Sequence, residues 1–509
     1  MGHLMIKSID SDPTLGQLRV VPNARHNSSK VCLEGTRTGI IEEIMARCCN
    51  VEHPTQVTLL TAVAGAGKST VAHTIAKRCD ECDILLASFF FRAGEITSLD
   101  HLWSDVARSL AIRNEPYRRD LTSALMKDPT IAAASFGEQF EGLIVKPLRC
   151  NPLRDDTPLI IVIDAFDECD PRASITLTLH LRNKVSELPR SIKFVVTSRR
   201  TIVVDRFLLQ NPSPIHHLSI HLEDCSLYVR SEVSALRRLF PWSNWPPGLE
   251  VMLIARARGL FITVSTVMDY LKNESANPVV TLEDLLDQSA PRDDEPTEGQ
   301  LDTLYTAILK TCAWRDKAFV HNYPIVMGAF TAAKSPLSIT AWEALLSPLL
   351  FPGTTIEDTI SELRPLLIGT DQPSDPIQLL NQSLRDYLES RDAGHLPVVL
   401  DPPKDQERLA LRCLQVMNTE IRKVPGLGTI KMLSKMDVMP TIPHEDVSAQ
   451  LLYAYRFGWD HVLGIKDVSE ALEIEIRKFL KNIVDWVELC VRRERYISIL
   501  PLVDWIEVS

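Results

Sequence analysis

Residues 57–70 read Val57-Thr58-Leu59-Leu60-Thr61-Ala62-Val63-Ala64-Gly65-Ala66-Gly67-Lys68-Ser69-Thr70, a short apolar run that breaks into two glycines and a Lys-Ser pair. A near-continuous apolar run of this length is what a strand buried on both faces requires. The residues that follow carry helical periodicity to about Lys77. Between strand and helix the spacing is that of GxxxxGK[ST], a phosphate-binding loop, with Ala62 where the first glycine usually stands. That position opens the loop without making its tightest turn. Gly65 and Gly67 allow the backbone to curl until successive N–H groups point inward, and the following helix adds its positive end. In such a loop Lys68 reaches the β- and γ-phosphates, the Ser69 hydroxyl ligates Mg²⁺, and Ala66 and Thr70 complete the cradle.

Working outward, three more buried strands are expected at residues 84–91, 159–163 and 192–196, each separated by helical stretches. This alternation predicts a parallel sheet covered by helices. The strand at 159–163 runs into Asp164 and then Ala165-Phe166-Asp167-Glu168. A carboxylate at a strand's C-terminal edge lies where open α/β sheets place their ligands, so Asp164 is expected to hold Mg²⁺ through water. Asp167 or Glu168 is expected to orient and deprotonate an attacking water. The strand at 192–196 continues into Thr197-Ser198-Arg199-Arg200. Beside the first strand, Thr197 and Arg199 would emerge near the γ-phosphate, where a guanidinium distinguishes ATP from ADP. The guanine-reading NKxD pattern fails, since Asn183-Lys184 is followed by Val185-Ser186. Adenine is the expected base, and ATP or ADP with Mg²⁺ the expected cofactor.

The expected organisation is an arm at 1–30, a P-loop domain at 31–215, a helical domain at 216–286, a linker at 287–300, a winged-helix-like domain at 301–400 and a C-terminal helical domain at 401–509. The linker is acidic and carries Pro291 and Pro296. Within 301–400, helices are expected at 301–309 and 324–333. Thr340-Ala341-Trp342-Glu343 has the spacing of a capping box, and a hairpin is expected around TDQPSDP, residues 370–376. The fold class is therefore an α/β P-loop NTPase followed by an all-α helical domain, a winged-helix domain and a C-terminal helical region.

The net charge of −11 opposes sequence-independent binding to nucleic acid or an acidic membrane. The longest apolar runs fall far short of the roughly 20 residues that span a bilayer. The opening MGHLMIKSID lacks the apolar core of a secretory signal. Eleven cysteines are scattered without a framework, and the CxxC pair Cys79 and Cys82 lacks the partners of a zinc site, so it reads as reduced thiols at a helix end. Cytoplasm is the expected compartment. His216, His217 and His221 lack a completing ligand and read as solvent-facing.

Together these residues resemble the NACHT class of STAND nucleotide switches, and especially the large fungal group of NACHT proteins. The resemblance rests on Gly35-Thr36-Arg37, the phosphate loop, Asp164 to Glu168, Thr197-Ser198-Arg199, Ala257-Arg258-Gly259-Leu260-Phe261-Ile262 and Leu301-Asp302-Thr303-Leu304-Tyr305. It implies that Arg37 lies beside the adenine end of the pocket. It also implies a closed ADP state that opens on exchange for ATP, with slow hydrolysis as a reset and conditional self-association or partner proteins as output. In the family a histidine of the winged-helix segment touches the ADP β-phosphate; Asn381 stands in the corresponding stretch here and can donate only a neutral hydrogen bond. Relatives carry an N-terminal effector and a C-terminal repeat array, so this chain reads as the switch module. Two other classes compete: a scaffold holding nucleotide as a structural cofactor, and a P-loop phosphotransferase, for which no acceptor motif is present.

Overall fold

The computed structural model describes residues 14–18, 26–91, 101–153, 157–169, 171–209, 215–220, 225–273, 278–288, 297–370, 372–390, 396–428 and 441–493. The chain divides into two compact units, Met1–Met268 and Asp269–Ser509.

The first unit is built on five parallel strands: β1 (Val57–Thr61), β2 (Leu85–Phe90), β3 (Leu159–Asp164), β4 (Ile192–Ser198) and β5 (Ile215–Ser219), in the order β2-β3-β4-β1-β5. Alternate residues of each strand point to opposite faces, and the burial follows that parity. Val57, Leu59, Ile161, Ile163, Phe194 and Val196 join one core, with the helices Leu102–Arg113, Glu115–Lys127 and Pro171–Asn183 over it. Leu60, Ile160, Val162 and Val195 join the other, beneath α1 (Thr38–Cys49) and α2 (Lys68–Glu81). Side chains of Asp164 and Thr197 share the parity of the second core, which puts them on the α2 side.

β4 lies directly beside β1, with Leu60 opposite Thr197 and Thr61 opposite Ser198. The strand order thus gathers the ends of β1, β3 and β4 at one edge of the sheet. Strand limits differ from those expected by one to two residues: β1 stops at Thr61, and β4 runs on to Ser198. β5 was not anticipated. Its Ile215-His216-His217-Leu218-Ser219 is an edge strand that is only half-buried, so it lacks the apolar run that marks its neighbours.

The unit continues through helices Ser226–Leu239 and Leu249–Ala257 and ends within helix Phe261–Asn273. Arg258 (φ 43°) and Gly259 (φ 83°) are both left-handed and end the second of these.

In the second unit, helices Pro278–Gln288 and Thr297–Lys310 occupy both ends of the expected linker. Then come helix Lys317–Ala332, β6 (Leu337–Ser338), helices Ile339–Leu346 and Ile356–Leu363, β7 (Leu367–Ile368) and β8 (Pro376–Leu379). β8 pairs antiparallel with both β6 and β7. The helix expected to open at Thr340 is instead capped by Ser338, whose Oγ accepts from Ala341 N–H at 3.3 Å. Glu343 does not close a capping box there; its carboxylate accepts from Ile356 N–H at 2.7 Å, at the start of the next helix. Helices Gln382–Glu389, Pro402–Glu420, Ala449–Leu463, Glu470–Leu480 and Ile483–Arg492 complete the described part. Among the described residues no helix is long and apolar enough to cross a membrane.

Candidate nucleotide-binding site

The chain leaves β1 at Thr61 and turns through residues 62–67 into α2. Gly65 (φ 75°) and Gly67 (φ 90°) take left-handed torsions. A Cβ on Gly67 would meet no atom within 4 Å, so its torsion and not crowding demands glycine. No side chain caps α2 at Gly67, and the first intrahelical bond runs from Val71 N–H to Gly67 O at 3.0 Å. The N–H groups of Lys68, Ser69 and Thr70 therefore face outward at the positive end of a helix. That donor set fits a phosphate group.

Lys68 Nζ donates to the loop's own carbonyls, Ala62 O and Val63 O, each at 3.0 Å. Burial pushes its ammonium below the ordinary lysine value; the Asp167 charge opposes this, Arg199 adds to it, and Asp164 and Glu168 oppose it further.

Asp164 is 3% exposed at the end of β3. Thr197 Oγ1 donates to its Oδ1, and the Ser69 hydroxyl bonds to the same carboxylate. Burial pushes this carboxyl above the ordinary aspartate value, while bonds from Thr197 and Ser69, the Lys68 charge and the Ala165 N–H hold it back. Carboxylate and hydroxyl oxygens side by side suit a hard divalent cation, so Ser69 and Asp164 are the residues that would hold Mg²⁺. Among the described residues no group of three or more His, Cys, Asp or Glu is placed to hold a metal ion by itself.

Thr197 was expected to emerge near the γ-phosphate. In the structure its side chain is fully buried at the end of β4 and bridges two strands, donating to Asp164 and accepting from Ala165 N–H at 3.0 Å. Asp167 was expected to act on water. After Asp164 the chain bends through Ala165 at φ 53°, a left-handed torsion that a small side chain tolerates at about 1–2 kcal/mol. This bend delivers Asp167 to Arg199: Oδ1 accepts from the Arg199 N–H at 2.8 Å, and Oδ2 pairs with Arg199 Nε at 3.1 Å. Both Asp167 oxygens are thereby committed to Arg199. Glu168 sits partly exposed on the same short turn, close enough for its charge to act on Lys68.

Arg37 caps α1 with φ 56° and donates from Nη2 to Ala66 O at 3.1 Å. Its guanidinium lies over the Phe261 ring, 4.9 Å from the centroid, a cation–π contact. The next residue, Ile262, donates its N–H to Gly65 O at 3.4 Å. Phe261 and Ile262 were not singled out as site residues. Nothing local in the sequence places them at the loop beyond the segment of resemblance that contains them.

Asn381 lies in the second unit. Its Oδ1 caps helix Gln382–Glu389 by accepting from Leu384 N–H at 2.8 Å, and it also accepts from Ser383 Oγ at 2.7 Å and Tyr305 OH at 3.1 Å. Its Nδ2 is buried without a hydrogen-bond partner among the described residues. Of the histidines, His216 Nε2 is 3.3 Å from Glu43 Oε1 and His217 Nε2 is 2.7 Å from Thr61 Oγ1; His221 lies outside the described residues.

Residues 35–199 match the family described as Nephrocystin 3, N-terminal. That span is less than half of the chain and contains the phosphate loop, the acidic end of β3 and the Thr197–Arg199 end of β4. No curated protein matches the sequence. Among solved structures, the Walker-type ATPase of Pyrococcus abyssi is 11% identical with a TM-score of 0.31, over 74% of this chain and all of that one. Drosophila ORC bound to GC-rich DNA and Cdc6 is 12% identical with a TM-score of 0.28, over 87% of this chain and 61% of that one. Likeness at this level carries no functional argument. The site rests on its own geometry, that of a phosphate loop on a parallel α/β sheet.

Proposed function

We propose that this chain is an ATP/ADP-dependent switch of the NACHT/STAND class, binding nucleotide with Mg²⁺, hydrolysing ATP slowly and changing its self-association with the nucleotide bound. One observation carries the proposal: at the end of β4, beside the phosphate loop, Asp167 holds Arg199 through both its N–H and its guanidinium. A γ-phosphate competes with Asp167 for that guanidinium, and ADP does not. The exchange is one of charge-assisted bonds, each worth about 1.5–3 kcal/mol. Inverting a population from 1:99 to 99:1 takes about 5.5 kcal/mol, so further contacts must change with the state of the nucleotide. The loop's bonds to the segment after Gly259, through Arg37–Phe261 and Gly65–Ile262, are suited to that work.

In this reading Lys68 and the N–H groups of residues 65–70 hold the phosphates, and Ser69 and Asp164 hold Mg²⁺, which neutralises phosphate charge. Thr197 positions Asp164. With Asp167 engaged, Glu168 is the carboxylate that orients the attacking water. The order helix, strand, two helices and hairpin over residues 317–379 supports a winged-helix module. Its helix Ile356–Leu363 carries Glu357, Asp358 and Glu362 and no Lys or Arg, which favours a regulatory role over DNA binding.

Size-exclusion profiles with ADP and with a non-hydrolysable ATP analogue test the switch. A larger species with the analogue, lost in Arg199→Ala, is expected. Identical profiles in both nucleotides would contradict it.

A further inference from the structure

Four cysteines converge at a place the nucleotide chemistry does not use. α1 and α2 both start at the phosphate loop: Arg37, the N-cap of α1, bonds Ala66 O, and Lys68 is the first residue of α2. At about 1.5 Å per residue, their 12 and 14 residues run roughly 20 Å to the far ends. There α1 closes on Cys48-Cys49 and α2 on Cys79, with Cys82 at its C-cap. Cys48 and Cys79 are buried in one core, and Cys79 Sγ lies 3.9 Å from Met45 Sδ of α1. Cys49 and Cys82 are exposed at the rim. Packing as small hydrophobes accounts for the first pair and not for the second.

We propose that Cys49 and Cys82 form a reversible disulfide that staples the far ends of α1 and α2, with a low-molecular-weight disulfide as oxidant. Burial pushes the Cys48 thiol up to about 12 and also raises Cys79, so those two are poor nucleophiles. Cys49 lies one turn beyond Met45 on α1 and Cys82 one turn beyond Cys79 on α2, so the Met45–Cys79 contact brings the two exposed thiols to neighbouring helix ends. The Cys82 thiolate attacks one sulfur of the small disulfide, breaks its S–S bond and expels one small thiolate. The Cys49 thiolate then attacks the Cys82 sulfur and expels the second small thiolate. Two protein thiols are oxidised, one small disulfide is reduced to two thiols, and the protons from Cys49 and Cys82 pass to the expelled thiolates.

The bond closes a chain loop that contains the phosphate loop, and fixing the helix pair is expected to slow nucleotide exchange. That consequence rests on the proposed function; the bond itself does not. The test equilibrates the full chain with oxidised glutathione, blocks free thiols and maps peptides by mass spectrometry. Because 48 and 49 share a peptide, as do 79 and 82, variants resolve the partners. The link is expected in wild type, Cys48→Ser and Cys79→Ser, lost in Cys49→Ser and Cys82→Ser, and reversed by dithiothreitol. Oxidised wild type should melt roughly 5–15 °C higher in the first unit than Cys49→Ser. Full alkylation of Cys49 and Cys82, or a bridge of Cys82 to Cys79, would overturn the proposal. A chain that forms the bond but binds no nucleotide contradicts the switch and leaves the staple standing.

Discussion

Asp167 and Glu168 are adjacent carboxylates, and only their surroundings separate them. Asp167 spends both oxygens on Arg199, while the charge of Glu168, on the same turn, acts on Lys68. Glu168→Gln is therefore expected to lower ATP turnover by roughly 10²–10⁴-fold with nucleotide affinity kept, measured by phosphate release beside equilibrium binding; a parallel loss of binding would place Glu168 in the cradle. A second titrating residue tests the second unit. Burial pushes His461 down to about 3, and its Nε2 is bonded to Tyr453 OH at 2.8 Å. A histidine held neutral in the fold takes up its proton on unfolding below about pH 6.5, so its contribution is present above that value and is lost as pH falls toward 3. The stability gap between wild type and His461→Asn should shrink by about 2 kcal/mol between pH 7.5 and 5; a constant gap would mean that His461 ionises in place. At this scale the sequence marks which residues stand at the loop and strand ends more readily than what each side chain touches. Lys68, Ser69 and Asp164 stand out by position along the chain. The partners of Thr197 and Asp167 depend on the left-handed bend at Ala165, which no spacing rule reveals.

Elements were legible where burial is two-sided. β1, β3 and β4 announce themselves as continuous apolar runs because both faces meet a core. β5 does not, since an edge strand with His216 and His217 needs apolar contact on little of its surface. Thr340 and Glu343 satisfy the same spacing rule as a cap, and the choice of Ser338 is made by Glu343 bonding the start of the next helix instead. The hairpin around residue 370 was readable from its turn residues. Gly369 holds φ 83° and a Cβ there would lie 2.1 Å from Pro376 O. Gly369→Ala should cost about 2–4 kcal/mol of the second unit's stability by denaturant titration. A cost below about 0.5 kcal/mol, the ordinary surface range, would show that the hairpin is not closed as described.

At the scale of the molecule, one parallel sheet sets the candidate site. The sheet order β2-β3-β4-β1-β5 brings three separated sequence segments to one edge, and the helical segment after Gly259 bonds back to the loop. Everything else in the functional account depends on that loop enclosing a polyphosphate. The most direct test is isothermal titration of the full chain with ADP and with a non-hydrolysable ATP analogue, each with Mg²⁺, beside Lys68→Ala shown to be folded by circular dichroism. The account predicts saturable binding of both nucleotides to wild type and a ten- to hundredfold loss in the variant, the worth of one charge-assisted contact. A folded wild-type protein that takes up neither nucleotide, or a variant that binds both as well as wild type, would contradict it.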